Sequence, residues 1–394
     1  MPANRTILLL SVGHGCVDVY QGSVAALIPF FIAERSYTYA VASGIVLAAS
    51  LLSSVAQPLF GVLTDRWAMP WLMPASTLLG GLGVALSGLS GSYALTLVFV
   101  AVSGIGIAAY HPESARVARI ASRGSHTAMG WFSLGGNIGF AAAPLMVTAA
   151  IATGGLRFTP LLILPALVGS VLCLPVLRAL AGADAAAGKG TSAPKARREH
   201  DDTASFVKLS FAVACRSVAF MGLSTFIALY ARQRTGGGTT AGTVALSVLY
   251  LGGAVGTVLG GRLATRFDRV TVVRGAYLAG IAAVAGTALV PGPPLYLFTA
   301  LASAALYIPF SLQVTLGQDY LPSRVGTASG ITLGLAVSVG GVAGPLIGAL
   351  ADATTLRTAL TPLILMPGLA YLTARTLKEP STHLSMTAEP VRAP

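Results

Sequence analysis

The chain has 394 residues, of which 54% are hydrophobic and only 10% charged, and its formal net charge is +12. A soluble domain usually carries about 25% charged residues, so this composition excludes an ordinary soluble protein. The positive charge does not indicate nucleic-acid binding, because the basic residues stand in short gaps between apolar blocks and not in clusters on a solvated face. The composition is typical of a protein embedded in a lipid bilayer.

Each apolar block is long enough to cross a hydrocarbon core of about 30 Å as a helix. In chain order we predict membrane helices at residues 6–32, 39–63, 70–91, 93–118, 126–153, 157–181, 205–231, 238–263, 271–290, 294–318, 325–350 and 356–377. The predicted fold class is therefore an all-α membrane protein with twelve transmembrane helices. The three cysteines lie inside these blocks without metal-ligand or disulfide spacing, so no metal and no cofactor is expected.

A polar, low-complexity stretch at residues 182–204 divides the chain and is typical of a flexible linker. We expect an N-terminal six-helix bundle at 1–181, a C-terminal bundle at 205–378 and a disordered tail at 379–394. Nineteen of the 25 Lys and Arg residues fall on the side of the N terminus, five on the other side and Arg216 inside a span. This bias predicts a multi-pass protein of the inner membrane with both termini and the linker in the cytoplasm.

The first block carries His14, Asp18 and Gln21, whose spacing puts them on one face of a helix. Asp18 is 13 residues past Arg5, roughly 20 Å along the helix and so near the middle of the bilayer. An ionisable group at this depth is costly unless it is paired or hydrated. We expect Asp18 to carry a proton; a fixed hydrogen bond, for example to His14, is the structural alternative.

The loop after the second block contains Gly61, Asp65 and Arg66, and we expect these residues to act in gating. The glycine would allow close helix approach, the acid would stabilise a helix N-terminus and the arginine would pair with a neighbouring helix. The corresponding loop of the second half has Arg266 but Thr265 in place of the acid. Near the end of the tenth block, Asp319 is a further gating candidate.

Block four ends with His111, a kinking proline at 112, Glu113 and Arg116. Glu113 is a second candidate proton carrier, and the alternative is a structural ion pair with Arg116, three residues on and a predicted gating residue. His14, Gln21, His111, Asn137 and Arg216 are the predicted substrate-binding residues. A buried arginine needs an anion, which for Arg216 could be Asp18, Glu113 or an anionic substrate; otherwise its side chain reaches for the interface.

An internal repeat relates the two halves. Residues 61–67 and 261–267 are similar and 200 residues apart, and Gly139 with Pro144 matches Gly340 with Pro345 at nearly the same offset. Two sequence matches at nearly one offset indicate a duplicated six-helix unit, which is the usual architecture of a secondary transporter.

Several stretches resemble the fosmidomycin resistance proteins of the major facilitator superfamily. They are residues 14–21, 64–66 with 69–71, the block His-Pro-Glu-Ser-Ala-Arg-Val-Ala-Arg at 111–119, Gly-Gly-Asn-Ile-Gly at 135–139, Arg216 and residues 318–330. The resemblance runs along nearly the whole chain, and residues 111–119 are its most specific part. It implies efflux of the anionic phosphonate fosmidomycin and other drugs, driven by inward proton flow.

We therefore predict a proton-coupled drug efflux antiporter that works by alternating access as a monomer. The first alternative is a proton-coupled importer of a small organic anion or sugar, with which the fold is equally compatible. A membrane enzyme or sensor is a second alternative, disfavoured because the sequence shows no nucleophile–base set, metal motif or phosphate loop.

Overall fold

The computed structural model describes residues 3–67, 69–122, 126–152, 154–184 and 201–380. These ranges are almost wholly helical and contain no β-strand. The helices of the first half are α1 (Ala3–Arg35), α2 (Tyr39–Arg66), α3 (Leu72–Ser87), α4 (Tyr93–Ser122), α5 (His126–Ile151) and α6 (Leu164–Asp184). Those of the second half are α7 (Thr203–Thr235), α8 (Gly238–Leu263), α9 (Arg269–Leu289), α10 (Pro294–Tyr320), α11 (Val325–Ala353), α12 (Leu356–Leu360) and α13 (Leu365–Ala374).

The described helices have the length and composition of membrane spans. By these criteria 10 of them are long and apolar enough to cross a bilayer, and α3 is a shorter apolar helix. The last predicted span is divided between α12 and α13. Large apolar side chains face outward along the spans, with Val55 62% and Leu346 70% exposed, as expected for surfaces that contact lipid. The predicted all-α membrane fold is confirmed.

The sixth and twelfth spans are irregular at matching places, where the sequence predicted continuous helices. A 3₁₀ segment at Gly155–Ile163 leads into α6, and another at Thr361–Ile364 joins α12 to α13. Pro160 lies in the first segment and Pro362 in the second. Proline has no backbone N–H to donate and its ring crowds the preceding turn, so the α-helical bonding pattern is interrupted at both places. The shared irregularity supports the internal duplication.

The two helix pairs α1–α5 and α7–α11 are packed in the same way. A Cβ atom added at Gly139 of α5 would collide with the backbone of Gly15 in α1. The repeat-related Gly340 of α11 has the same relation to the backbone of Ser217 in α7. Small residues let membrane helices approach closely. The matching positions of Gly139 and Gly340 in the sequence therefore mark an equivalent helix crossing in each half.

The halves touch at the end of the bundle where α1 and α7 finish, which we call the opposite side; we call the end where they begin the basic side. Asp352 at the end of α11 accepts hydrogen bonds from the backbone N–H groups of Tyr39 and Ala40 at the start of α2, at 2.8 and 2.9 Å. The hydroxyls of Thr148 in α5 and Thr243 in α8 lie 2.7 Å apart. These contacts close the opposite side.

Toward the basic side the halves separate, as one face of α11 shows. On this face Gly348 packs on α2 at Ala40, and Gly341 packs on it at Ser50. Further along the same face, a Cβ atom at Gly334 or Gly330 would meet nothing within 4 Å. The structure is therefore closed at the opposite side and open toward the basic side.

The segments flanking the second half are anchored at the basic side. Asp202, which we assigned to the linker, caps α7 by accepting from Ser205 N at 2.9 Å. Its backbone N–H donates to Tyr320 O at 2.7 Å. Glu379, the first residue of the predicted tail, bonds to Arg269 at 2.7 Å. Residues 185–200 of the predicted linker and 381–394 of the predicted tail lie outside the described residues.

Candidate functional site

A glycine-lined face of α5 brings α1 close enough to form a polar cluster. Cβ atoms at Gly135 and Gly139 would strike the backbone of α1, and one at Gly136 would strike the side chains of Asp18 and His14. These are the glycines of the Gly-Gly-Asn-Ile-Gly stretch. Only glycine leaves room at position 136 for the carboxylate and the imidazole, so this local sequence is what makes space for the site.

Three titratable side chains, which we call the His–Asp–His cluster, meet in that space: His14 and Asp18 of α1 and His111 of α4. His14 Nε2 lies 3.2 Å from Asp18 Oδ2, and His111 Nε2 lies 3.1 Å from Asp18 Oδ1. The Asp18 side chain is 7% exposed and that of His111 is 26% exposed. The acid is thus buried, and His111 is the more accessible member of the cluster.

The remaining nitrogen of each histidine fixes the tautomer. His14 Nδ1 lies 2.9 Å from Phe132 O, and His111 Nδ1 lies 2.7 Å from Ile107 O. A carbonyl oxygen can only accept, so both Nδ1 atoms must donate. Each Nε2 then faces Asp18 either with a proton or with a lone pair directed at a carboxyl oxygen. Both contacts are favourable only when the cluster holds two protons between its three groups.

The charge of the cluster follows from this proton count. With no shared proton, two neutral imidazoles and a carboxylate sum to one negative charge. One proton brings the sum to zero, and a second brings it to one positive charge. The cluster can therefore bind and release protons inside the membrane, in a space where electrostatic interactions are little screened.

The cluster is also the group of residues that could hold a metal ion among those the structure describes. Its ligand atoms all lie within 4.8 Å of one another. The Nε2 atoms, however, already contact the carboxyl oxygens at 3.1 and 3.2 Å. The atoms that would bind an ion therefore contact one another in this structure.

Gln21 and Asn137 accompany the cluster without joining it. Gln21 lies one turn after Asp18 on α1, and Asn137 follows Gly136 on α5. Both side chains are half-buried, and neither is hydrogen-bonded to another described residue. Their amide groups are thus available to a ligand, and their role in substrate binding stays a prediction.

Glu113 lies outside the cluster. It is completely buried and forms a two-point ion pair with Arg116 on its own helix, with Arg116 Nε 3.0 Å from Glu113 Oε2. This is the structural pairing that the sequence left open as the alternative to proton transport. Arg116, a predicted gating residue, neutralises the charge of Glu113.

Arg216 is a buried cation of the second half, on α7. It is 3% exposed, and its Nε has no hydrogen-bond partner among the described residues. The pairing with Asp18 or Glu113 that we considered is not made; the guanidinium instead lies 5.1 Å from the ring centroid of Phe310.

The predicted gating residues are spread along the basic side. A Cβ atom at Gly61 would meet nothing within 4 Å, so the close helix approach expected of this glycine is not made in this open structure. The side chains of Asp65 and Arg66 lie outside the described residues. Arg266 is exposed. Asp319 is paired with Arg269, whose Nη2 lies 2.7 Å from Asp319 Oδ2.

Sequence reasoning missed Arg269 and the aromatic side chains of α10. Arg269 also bonds to Glu379, so it ties α9 to α10 and to the C-terminal segment. The signal was present, since an Asp-Arg pair at 268–269 stands three residues beyond the position that matches Asp65 and Arg66. Tyr307 and Phe310 gave no such signal, because aromatic residues are common in membrane helices.

Comparison with known proteins agrees with this architecture. The family model of the Major Facilitator Superfamily matches residues 10–345. The fosmidomycin resistance protein of Escherichia coli (strain K12) is 30% identical over 373 residues, covering 92% of this chain and 90% of that protein. An uncharacterized MFS-type transporter of Bacillus subtilis (strain 168), YfnC, is 28% identical over 93% of this chain and 91% of its own length.

Solved structures of transporters share the fold. A bacterial homologue of the human lysosomal transporter Spinster, in an inward-facing and occupied conformation, has a TM-score of 0.73 at 17% identity and covers 94% of this chain and 96% of its own. A mutant of the nucleoside transporter NupG has a TM-score of 0.75 at 12% identity, with 95% of this chain and 100% of its own covered. The chain is thus a multi-pass membrane transporter, and it belongs to the Major Facilitator Superfamily, in the family of the fosmidomycin resistance protein.

Proposed function

We propose that the protein is a proton-coupled antiporter that exports fosmidomycin-like or other antibiotic compounds by alternating access. The observation that carries the proposal is the His–Asp–His cluster, in which three proton-binding groups contact one another inside the membrane. Export is supported by the relative named for fosmidomycin resistance, because a membrane transporter that confers resistance lowers the drug concentration inside the cell.

The direction of opening supports alternating access between two sides. The bias of Lys and Arg favours a cytoplasmic location for the basic side and for both termini. The open basic side is then the state that would take up a cytoplasmic substrate. Breaking the contacts of Asp352 and Thr148 would open the opposite side. One monomer in the inner membrane contains all of these parts.

Substrate and protons bind at neighbouring places in this scheme, and His111 belongs to both. Arg216 supplies a positive charge to an anionic group, while Gln21, His111 and Asn137 offer hydrogen bonds from the facing half. Asp18 with its two histidines carries the protons. We propose that the empty carrier reorients only after the cluster is loaded with protons, which enter by way of the more exposed His111.

Glu113 remains a second proposed proton carrier. It would have to leave Arg116 to accept a proton, and burial of both groups makes that separation costly. The two carriers differ in one testable respect. Asp18 contacts other proton-binding groups, whereas the observed partner of Glu113 is a fixed cation.

One observation favours the alternative of proton-coupled import of a small organic anion. A proton added to the cluster raises its charge, and Asp18 and Arg216 are both buried, where charges act on one another with little screening. An anion at Arg216 would therefore be held more strongly when the cluster is protonated, so proton and anion could travel together. The gating proposal for the basic side, with Gly61, Asp65, Arg66, Arg266 and Asp319, is the same in either case.

Transport into proteoliposomes distinguishes the two functions without control of protein orientation. Labelled fosmidomycin is added outside vesicles whose membrane potential is clamped, and the internal pH is set one unit below or above the external pH. An antiporter accumulates the drug in acidic vesicles, by about tenfold per exchanged proton, whereas a symporter accumulates it in alkaline vesicles. Equal uptake under both gradients would remove proton coupling from the proposal.

Two isosteric variants test the carriers. Asp18→Asn should abolish accumulation but keep gradient-independent exchange of labelled for unlabelled drug, because the amide occupies the same space without titrating. Glu113→Gln should do the same if Glu113 is a carrier, and should leave accumulation intact if its role is structural. Full accumulation by both variants would show that neither acid couples the protons.

A further inference from the structure

A row of five aromatic side chains crosses the junction between the halves and ends at Arg216. Phe140 of α5 packs against Tyr250 of α8 at 5.3 Å between ring centroids, and Tyr250 lies 6.4 Å from Phe220 of α7. Phe220 makes an edge-to-face contact with Tyr307 of α10 at 4.7 Å, and Tyr307 lies 5.7 Å from Phe310. Arg216 is 5.1 Å from the centroid of this last ring.

The polar groups along this row make no hydrogen bond within the described part of the chain. The hydroxyls of Tyr250 and Tyr307 make no hydrogen bond to any described residue, and the buried Nε of Arg216 makes none either. A buried donor without an acceptor costs free energy, and a buried guanidinium without an anion costs more. The ring of Phe310 offsets part of that cost through a cation–π contact. The buried Nε of Arg216 thus needs an acceptor that the described part of the chain does not supply, while the two hydroxyls are not fully buried and can bind to a ligand.

The composition of the row also limits what can bind there. Neither a carboxylate nor an amide belongs to the row, and Tyr307 and Phe310 are only partly buried. A small, fully polar anion would pair with the Arg216 guanidinium, but it would make no apolar contact with the aromatic rings. An apolar ligand would cover the rings but would leave the guanidinium unpaired.

We propose that this row and Arg216 form a binding site for an organic anion that carries an aromatic ring. The anionic group pairs with the Arg216 guanidinium and accepts from the Tyr307 hydroxyl, while the ring packs on Phe310 and Phe220. The inference rests on the proposed transport function, whose central site it shares, and adds the substrate class. Repulsion by Arg216 excludes aromatic cations from the same position.

Three probe compounds distinguish the contribution of the anionic group to binding from that of the aromatic ring. They are phenylphosphonate, methylphosphonate and phenyltrimethylammonium. Binding of each to the purified full-length protein in lipid nanodiscs is measured by calorimetry at one fixed pH. We expect phenylphosphonate to bind roughly tenfold more tightly than methylphosphonate, since aromatic packing adds to the ion pair. The cation should not bind. Equal affinities for the two phosphonates would overturn the inference.

Two variants test which residues of the site bind the ring and which bind the anionic group. Phe310→Leu keeps an apolar side chain and leaves charge unchanged, so it should remove most of the difference between the phosphonates while methylphosphonate binding persists. Arg216→Gln should abolish binding of both. Because Phe310→Leu leaves the buried charge in place, it tests the proposal even if Arg216→Gln fails to fold. An unchanged preference for the ring in Phe310→Leu would contradict the assignment.

The experiments give different results if the aromatic binding site is wrong and if the proposed antiport function is wrong. Proton-driven fosmidomycin accumulation without any preference for phenylphosphonate would leave the antiporter proposal standing and remove only the aromatic site. A clear ring preference in a protein that accumulates no drug under either gradient would keep the site and remove the antiporter proposal.

Discussion

Replacing Asp352 by alanine should open the opposite side of the transporter. This carboxylate projects from the end of α11 and accepts from Tyr39 N and Ala40 N at the first turn of α2, at 2.8 and 2.9 Å. The first N–H groups of a helix have no partners within the helix, and a negative charge there is favoured by the helix dipole. Because α2 and α11 belong to different halves, the bonds exist only while this side is closed.

The expected size of the effect follows from this geometry. A buried carboxylate that accepts two N–H bonds would contribute several kcal/mol, but Asp352 is exposed and its interactions are screened. A contribution of about 1–2 kcal/mol is therefore appropriate. In the open state all three groups are hydrated, so the variant loses this stabilisation only when closed. The ratio of open to closed molecules should rise by roughly 5- to 30-fold.

Cysteine labelling measures that ratio. Ser43 of α2 is fully buried against α11 near Gly344, and it becomes reachable when the halves part at the opposite side. Ser43→Cys in a background without the native cysteines should react slowly with a membrane-impermeant maleimide. The labelling rate should increase by roughly the same 5- to 30-fold factor when Asp352→Ala is added.

A matched control is available in the second half. Asp268 caps α9 by accepting from Thr271 N at 2.8 Å, with no contact to the first half. Asp268→Ala removes a similar helix cap but no bond between the halves, so it should leave the labelling of Ser43→Cys unchanged. The reasoning is refuted if Asp352→Ala has no effect on the rate, or if both alanine variants raise it equally.

Two further predictions concern the proton site and the basic side. Gly136→Ala should lower the rate of proton-driven transport at least about tenfold, because its methyl group would displace Asp18. Gly130→Ala on the same helix is the control, since a Cβ there meets nothing within 4 Å, and it should leave the rate unchanged. Equal transport rates in the two variants would contradict this prediction. Arg269→Ala should lower the free energy of unfolding by about 2 kcal/mol, seen as a lower Tm in detergent, because it breaks two partly buried ion pairs. The exposed Arg266→Ala is its control, and an equal Tm for both would show that the network does not stabilise the fold.

Patterns within single helices made much of the fold predictable. Long apolar blocks give the spans, and the repeated glycine and proline positions give the duplication. The spacing of His14 and Asp18 placed them on one face of α1, and the structure finds them in contact at 3.2 Å. Such features depend on helical periodicity, which a sequence displays directly.

Contacts between distant segments could not be predicted in this way. The approach of His111 to Asp18 depends on how α4 packs on α1, and the sequence alone does not reveal that packing. The bonds of Asp352 to the start of α2 join residues more than 300 positions apart. Arg216 illustrates the same limit, because its burial was predictable but its lack of a carboxylate partner was not.

Proton exchange on substrate binding tests the central proposal most directly. Purified protein is placed in weakly buffered solution with a pH indicator, and saturating fosmidomycin is added. The antiporter account predicts that the wild type releases protons and that Asp18→Asn, which lacks the carboxyl group, releases none. Proton release of the same size from Asp18→Asn, or proton uptake by the wild type, would contradict the proposal that the His–Asp–His cluster exchanges protons for drug.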